Sequence, residues 1–582
     1  MPAAILRRRP PLEVEVGIWR EFGPGCDLRS KRRVFGRWLT YHRGVIADQP
    51  TGATDVADTD VMDVIGTDGD TRGIDHFVDD PTNEITIGPL ERWARRIHDI
   101  HPAAWCTGAG ALLFALVFGK LGVQHHDNFG TWSYDMGIYD QGFWLVSRGG
   151  QSFMTVRGME FWGHHLNLIV LAFVPFYWLG AGPSFLYIAQ AVGLAVGAFP
   201  IYLIARDRFE KQWMGLLFAV VYLMYAPIQW IAWANFHPEA LVITPLLYAW
   251  WFATQRRWRG MFIALLIALS IREDTALVVL MLGVILAFMY RPGKGEHRDR
   301  MMALATFGLG FCWYVVATRF VIPQFNQGKQ PFYIQYFYSN YGGDMPAIIK
   351  TMLRHPNRVI GDATQPDRLR FYRDLALPLG GLPIVAPLTL LMAVPQMLAS
   401  VIGLSPYARS IHYQYTAMMI APLLIATIEG GRLLWRFKVM HVILPVWLLG
   451  CAYMTNVAWS PSPIGDSHNV WAVPNPRHDA MREALKLVPD NASVAATYTL
   501  LPHLSHREQI YDWPNPWVPS YWGNDDGFRL PDPSTIDYIV VDRTQVGPAQ
   551  QALVAGFIAP GGPYQVLFDQ DDVLVAKRKT GT

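Results

Sequence analysis

The stretch MFIALLIALSIREDTALVVLMLGVILAFMY, residues 261–290, decides the fold class of this chain. Two apolar runs, near 260–272 and 275–290, flank three consecutive charged residues, Arg272, Glu273 and Asp274. Apolar helices are stable in hydrocarbon, whereas charged side chains are costly there. The stretch therefore predicts two membrane helices joined by a polar turn at one membrane face.

Apolar runs of the same kind continue through the middle of the chain. They lie near 104–124, 184–205, 213–234, 238–254, 301–321, 374–388, 389–404, 414–431 and 439–459. Since a helix needs about 20 apolar residues to cross roughly 30 Å of hydrocarbon, we expect about eleven transmembrane helices in all.

The overall composition agrees with a membrane protein. Of 582 residues, 51% are hydrophobic and only 16% are charged, against roughly 25% charged residues in soluble domains. This excludes a disordered protein, a coiled coil and a disulfide-rich secreted module, and it argues against a soluble enzyme. The net charge of +2 indicates no nucleic-acid partner.

Basic loops set the expected topology. The loops 92–96, 206–211, 256–259, 291–300 and 432–438 are rich in Arg and Lys, and the positive-inside rule places them in the cytoplasm. The segment 165–180 then cannot cross, and we expect it to lie at the outer interface. The N-terminus is expected in the cytoplasm. The loops 125–183, 235–239, 272–275, 322–374 and 405–413, and everything after about 460, are expected to face outward.

Three domains are expected along the chain. Residues 1–100 are polar, and we expect a disordered cytoplasmic segment or a region upstream of a mis-assigned start. Residues 101–460 form the expected transmembrane domain. Residues 461–582 are expected to form a small extracytoplasmic α/β domain, with a helix at 478–487 and strands at 493–497, 537–543, 564–569 and 573–578. None of the four cysteines, at 26, 106, 312 and 451, lies in that domain.

The first outward loop carries YDMGIYDQGFW, residues 134–144, and the pair His164-His165. Residues 135–147 predict an amphipathic helix lying on the membrane, with Asp135 at its N-terminal end. An Asp in that position is often a helix N-cap, and a catalytic carboxylate is the alternative. Both remain open from the residues alone.

The later outward loops contribute further ionisable side chains. NFHPEA (235–240) holds His237 and Glu239, IREDT (271–275) holds the charged triplet, and PYARSIHYQY (406–415) holds His412. Such residues suit general base catalysis and phosphate binding. The ordinary alternatives are an interfacial loop for the triplet and an aromatic-belt position for His412. The sequence has no zinc-type spacing, phosphate-cradling Gly loop or nucleophile elbow.

Several stretches carry a family resemblance. They are YDMGIYDQGFW, GHHLNLIVLAFVPFYWL (163–179), NFHPEA, REDT, IHYQYTAMMIAP (411–422) and LPHLSHREQIYDWPNP (501–516). They resemble a bacterial family of predicted membrane proteins, DUF2079. The layout also resembles the C-type glycosyltransferase superfamily (GT-C), whose members use lipid-phosphate-linked sugars at the outer face. His164-His165 stand where the aminoarabinose and mannosyl transferases carry a Lys-Pro-Pro type segment.

The resemblance implies a polytopic GT-C-like fold and a set of roles. Asp135 would be the general base that deprotonates an acceptor hydroxyl. Substrate binding would fall to Asp140, His164, His165, His237, Glu239, Arg272 and His412. Glu273 and Asp274 would hold Mg²⁺ or Mn²⁺ if the enzyme uses a metal. The donor would be a polyprenyl-phosphate sugar and the acceptor an envelope glycan, lipid or protein.

Two other functions remain open from the sequence. One is a transporter or flippase for a lipid-linked substrate, although no inverted internal repeat is visible. The other is a non-catalytic membrane scaffold with the C-terminal domain as a binding module. The segment HLSHRE, residues 503–508, either caps the α/β domain or reaches over the site.

Overall fold

The computed structural model describes residues 100–520 and 529–579. The N-terminal segment expected to be disordered therefore lies outside the described residues, apart from its last residue. The residues from Ile100 onward belong to one compact unit.

Helices make up most of the described chain. In chain order, the first are α1 (Pro102–Asp127), α2 (Ile138–Ser147), α3 (Phe161–His164), α4 (Val170–Trp178), α5 (Pro183–Val196), α6 (Ala198–Phe209), α7 (Gln212–Leu223), α8 (Ala226–Trp233), α9 (Ile243–Thr254), α10 (Trp258–Leu269), α11 (Thr275–Met289) and α12 (His297–Val316). They continue with α13 (Ile322–Phe325), α14 (Phe332–Tyr338), α15 (Met345–Arg354), α16 (Pro356–Ala363), α17 (Pro366–Ala376), α18 (Pro387–Leu390), α19 (Val394–Ile402), α20 (Ala417–Leu434), α21 (Met440–Trp459), α22 (Arg477–Lys486) and α23 (Pro548–Ile558).

Five helical segments among the described residues are long and apolar enough to cross a membrane. They are Pro102–Asp127, Pro183–Phe209, His297–Phe325, Gln414–Leu434 and Met440–Trp459. A sixth arises if α7 and α8, which meet at a 46° bend, form one span. Shorter apolar helices cover Trp258–Leu269, Thr275–Met289 and Pro387–Ile402. The chain is thus a polytopic helical membrane protein, as the sequence predicts, and the count of about eleven spans stays a prediction.

Two predicted segments differ in detail from what the structure contains. The proline-rich stretch 374–404 is divided into short 3₁₀ and α-helical pieces, because proline interrupts the helical hydrogen-bond ladder. The interfacial segment 165–180 contains only α4, which has nine residues. At 1.5 Å per residue this helix is about 14 Å long, which is too short to cross the hydrocarbon.

The C-terminal part of the chain forms a five-stranded sheet. Its strands are β3 (Val494–Ala496), β4 (Ile510–Asp512), β5 (Tyr538–Asp542), β6 (Tyr564–Gln570) and β7 (Val573–Arg578), in the order β4-β3-β5-β7-β6. β3 pairs in parallel with both β4 and β5, whereas β7 is antiparallel to β5 and β6. A two-stranded hairpin, β1 (Phe153–Met154) and β2 (Met159–Glu160), lies in the first loop. The small α/β domain expected after residue 460 is therefore present.

The two faces of the sheet bury different partners. Side chains on one face of the sheet, such as Val494 of β3 and Val540 of β5, share one hydrophobic core with Met481 of α22. The same core includes Met136 and Phe143 of the first loop. The other face packs against α23. Residues on that side, including Ala495 and Ile539, share a second core with Val554. One sheet face is thus packed directly on the first loop.

Candidate functional site

Asp135 lies in a π-helical turn, Ser133–Gly137, that precedes α2. The sequence predicted a regular helix from residue 135, but α2 begins at Ile138 and most of its surface is buried. Asp135 Oδ1 accepts a hydrogen bond from His237 Nε2 at 3.1 Å. No side-chain hydrogen bond caps this turn, so the N-cap interpretation does not describe Asp135.

His237 is held rigidly between α8 and a 3₁₀ turn, Pro238–Val242. Its backbone N–H donates to Gln190 Oε1 at 2.9 Å, and the amide group of Gln190 donates to the carbonyls of Ile231 and Asn235. Burial, the largest influence, lowers the pKa of His237, but the hydrogen bond and charge of Asp135 outweigh it and raise the pKa above 6.5. The pair therefore favours a charged imidazolium beside a carboxylate.

Glu239 contacts the charged triplet through Arg272. Arg272 Nη1 donates to Glu239 Oε1 at 2.6 Å, and Arg272 Nε lies 3.2 Å from Asp274 Oδ1. The side chains of Glu239 and Arg272 are 3% and 13% exposed. Buried charges of this kind persist only when they are paired, and the interfacial-loop interpretation of the triplet therefore fails.

Glu273 joins the triplet to the paired histidines. His165 Nδ1 lies 2.8 Å from Glu273 Oε1, and the backbone N–H of Leu166 donates to Glu273 Oε2 at 3.0 Å. Burial acts most strongly to raise the pKa of Glu273, but His165 and Arg272 hold it below the usual value. Burial raises the pKa of Asp274 to about 6, because Arg272 offsets only part of the desolvation.

His164 lies beside His165 but in a more apolar setting. Their ring centroids are 4.5 Å apart, and the His164 ring stacks on Phe332 of α14. Burial, followed by the charges of His165 and Arg157, holds the pKa of His164 well below 6.5. His164 therefore remains neutral near pH 7 and can donate or accept a hydrogen bond.

Several buried polar atoms around these pairs make no hydrogen bond among the described residues. They include His237 Nδ1, Glu239 Oε2, Arg272 Nε, Asp274 Oδ1, Thr275 Oγ1 and Tyr333 Oη. Buried polar groups normally have partners, and exceptions cluster at functional sites. We call the group formed by Asp135, His165, His237, Glu239, Arg272, Glu273 and Asp274 the polar cluster.

Three predicted site residues lie outside the polar cluster: His164, described above, Asp140 and His412. Asp140 is fully buried and accepts hydrogen bonds from Tyr177 Oη at 2.7 Å and Ser505 Oγ at 2.5 Å, with His506 Nε2 also within 3.2 Å. His412 contacts Trp230 with tilted rings whose centroids are 4.0 Å apart, and burial lowers its pKa to about 4. Asp140 thus anchors part of HLSHRE, and His412 occupies an aromatic environment.

The structure adds one acidic residue that the sequence argument missed. Asp512 ends β4 and accepts a hydrogen bond from Ser133 Oγ at 2.6 Å, in the same turn as Asp135. Burial raises the pKa of Asp512 to about 7. The signal available in the sequence was a carboxylate at the end of the apolar pair Ile510-Tyr511, but so short a strand shows no alternation.

The acids do not form a cation site. No group of three or more His, Cys, Asp and Glu side chains suited to a metal occurs in the two described ranges. Both oxygens of Glu273 already accept hydrogen bonds, and Asp274 faces Arg272. The residues proposed to hold Mg²⁺ or Mn²⁺, Glu273 and Asp274, therefore do not fit the octahedral oxygen shell that these ions require.

A family model described as "Predicted membrane protein (DUF2079)" matches residues 125–570. The chain belongs to this family. The match begins near the end of α1 and ends within the C-terminal sheet, so this DUF2079 member carries the whole polar cluster and Asp512 inside the family region. No curated protein matches the sequence.

Two crystal structures of ArnT from Cupriavidus metallidurans are similar to this DUF2079 protein. The structure bound to undecaprenyl phosphate shares 13% identity, with 81% of this chain and 98% of that chain covered and a TM-score of 0.46. The apo structure shares 14% identity, with 82% and 98% covered and a TM-score of 0.47. A similarity this distant does not by itself assign a function.

Proposed function

We propose that this protein is a membrane glycosyltransferase that moves a sugar from a polyprenyl-phosphate donor to an envelope acceptor at the outer face of the membrane. The observation that carries the proposal is the pairing inside the polar cluster. One acid, Asp135, is held by a histidine and remains partly exposed, while Glu239 and Glu273 are buried and paired with Arg272 and His165.

Asp135 suits the role of general base. Its side chain is 25% exposed, against 3% for Glu239 and none for Glu273. Among the described residues, its carboxylate has one hydrogen bond, through Oδ1, so Oδ2 is available to an acceptor hydroxyl. A hydroxyl is a weak nucleophile at neutral pH, and a positioned base contributes about 10²–10⁴-fold to the rate.

Arg272 and the histidines suit the donor phosphate. In the proposed step the acceptor oxygen bonds to the anomeric carbon, and its proton passes to Asp135. The bond between that carbon and the phosphate oxygen breaks, and polyprenyl phosphate leaves with the electron pair. Arg272 supplies positive charge near the leaving phosphate, where charge develops in the transition state. Undecaprenyl phosphate, the ligand of ArnT, belongs to the carrier class proposed here.

The proposal is tested with membranes containing the wild type, Asp135→Asn or Asp127→Asn. Asp127 is the last residue of α1 and contacts Arg482 through its backbone carbonyl, which makes it a matched control. The probe is a panel of radiolabelled polyprenyl-phosphate hexoses and pentoses. We expect transfer by the wild type and the control, and loss of transfer by Asp135→Asn.

Two outcomes would contradict the proposal. Equal transfer by Asp135→Asn and the wild type would remove Asp135 from catalysis. Movement of the labelled lipid across sealed vesicles, without transfer of the sugar for any donor in the panel, would indicate a transporter instead.

A further inference from the structure

The turn that carries Asp135 is attached to the C-terminal sheet. Ser133 is fully buried, and both of its hydrogen-bond donors contact that sheet region. Its hydroxyl donates to Asp512 Oδ1 at 2.6 Å, and its backbone N–H donates to the carbonyl of Tyr498 at 3.0 Å. Ser133 and Asp512 are 379 residues apart in the sequence, so this contact depends on the tertiary fold.

Close packing also holds the turn Ser133–Gly137 against the C-terminal sheet region. A Cβ atom on Gly137, the last residue of the turn, would lie 2.7 Å from Leu501 Cδ2. The ring of Tyr498 stacks on Trp132 at a centroid distance of 6.5 Å and contacts Tyr134 at 6.3 Å. The turn thus fits closely against the segment that follows β3.

The opposite side of the turn is fixed by the membrane domain. The backbone N–H of Trp132 donates to Asn235 Oδ1 at 3.1 Å. Asn235 lies two residues before His237 in the sequence. Asp135 therefore lies in a turn clamped between the His237 loop and the carboxyl end of β4. Isolated π-helical turns are rare and concentrate at functional sites, and such a turn needs support from both sides to keep its geometry.

We propose that Asp512 is a positioning residue for Asp135, so that the C-terminal domain is part of the catalytic unit. Its carboxyl group holds Ser133, and Ser133 holds the turn that positions Asp135 for the acceptor. The carboxyl ends of parallel strands are where α/β sheets commonly place functional residues. This inference rests on the proposed function only where it concerns the reaction, since the hydrogen bond to Ser133 exists independently of it.

The test compares Asp512→Ala, Ser133→Ala, their double variant and Asp512→Asn. Thr155→Val is the matched control, because Thr155 Oγ1 donates to the carbonyl of Ile510 on the same strand at 2.7 Å. We expect each alanine variant to lose about 10²-fold in kcat for sugar transfer with the donor KM little changed, as for a misplaced catalytic group. The double variant should be no worse than either single variant, since the two residues act through one contact.

Conservative replacement separates positioning from general stability. Asp512→Asn keeps an oxygen that accepts from Ser133, so it should restore most of the rate. The control Thr155→Val should transfer like the wild type. If Thr155→Val loses as much activity as Asp512→Ala, or if Asp512→Ala keeps wild-type kcat, the inference is overturned. Should Asp512→Ala fail to fold, Ser133→Ala carries the same test.

Hydrogen exchange of the purified protein tests the contact without any activity. The amides of residues 133–137 should exchange faster in Asp512→Ala and Ser133→Ala than in Thr155→Val. Unchanged exchange in both alanine variants would overturn the positioning role. If the wild type transfers no sugar while exchange changes as expected, the proposed function fails and the positioning role stands.

Discussion

At the level of single residues, the charged side chains of the site are arranged in pairs. Glu239 and Glu273 are buried and Arg272 is nearly so, and each is paired with a basic or acidic neighbour. Taking a charge out of water is expensive, and a buried ion pair recovers that cost only when its geometry is good. These pairs surround Asp135, whose side chain is the most exposed of the acids in the polar cluster.

The pair Arg272–Glu239 allows a direct measurement of this coupling. Arg272→Met leaves Glu239 buried without its partner, which typically costs about 3–5 kcal/mol in the free energy of unfolding. Adding Glu239→Gln removes one stranded charge, so the double variant should recover part of that loss, while Asp274 still lacks Arg272. Thermal unfolding of the purified variants in detergent checks this. If the losses in unfolding free energy of the two single variants add up to the loss of the double variant, the coupling between Arg272 and Glu239 is contradicted.

Asp512 predicts a pH-dependent stability. Burial raises its pKa from 3.8 to about 7, so the folded state keeps a proton that the unfolded state releases. The stability from this proton is fully present below about pH 4 and is lost as the pH rises through 7. Asp512→Asn does not titrate, and its Tm relative to the wild type should therefore rise between pH 4 and pH 8. A difference that is independent of pH would contradict the buried, protonated acid.

At the scale of elements, helices α11 and α12 hold the charged triplet in place. Asp274 immediately precedes α11, and α12 packs on that helix through glycines. A Cβ on Gly310 of α12 would lie 2.6 Å from the backbone N of Leu280 and 2.7 Å from the carbonyl of Ala276. Small residues allow membrane helices to approach this closely.

The close contact between α11 and α12 predicts different effects for two glycine substitutions in α12. Gly310→Ala should destabilise the protein by about 1–3 kcal/mol, because backbone atoms must move to admit the methyl group. Gly308→Ala adds a methyl group with nothing within 4 Å, so it should be neutral or stabilising by up to about 1 kcal/mol. Unfolding midpoints of the two variants provide the measurement, and a reversed order would contradict the close crossing.

Most residues of the polar cluster could be identified from the sequence, whereas the turn that carries Asp135 and the contact of that turn with Asp512 could not. His237, Glu239 and Arg272 were identified because charged residues between apolar runs are conspicuous in any membrane protein. The π-helical turn was missed, since no side-chain periodicity distinguishes it from a regular helix start. Asp512 was missed for a different reason: its role depends on Ser133, 379 residues away, and a three-residue strand carries little pattern.

For the whole molecule, the proposed mechanism requires the C-terminal domain and the polar cluster on one side of the membrane. Ser520 is exposed after β4, and its carbonyl accepts from Tyr134 of the first loop. Lys294 is exposed in the basic loop between α11 and α12. The positive-inside rule places the two on opposite faces.

Cysteine labelling tests this orientation. In a background without the four native cysteines, Ser520→Cys should react with an impermeant thiol reagent added outside intact cells. Lys294→Cys should react only after lysis. The reverse pattern would invert the topology and move the site to the cytoplasm.

The most direct test of the central claim separates donor binding from chemistry in Asp135→Asn. Purified wild type and variant are saturated with a radiolabelled polyprenyl-phosphate sugar, and bound donor and single-turnover transfer are measured side by side. The account predicts unchanged donor binding and a transfer rate reduced by about 10²–10⁴-fold, because the variant lacks only the base. Transfer at the wild-type rate with the same bound donor would contradict it.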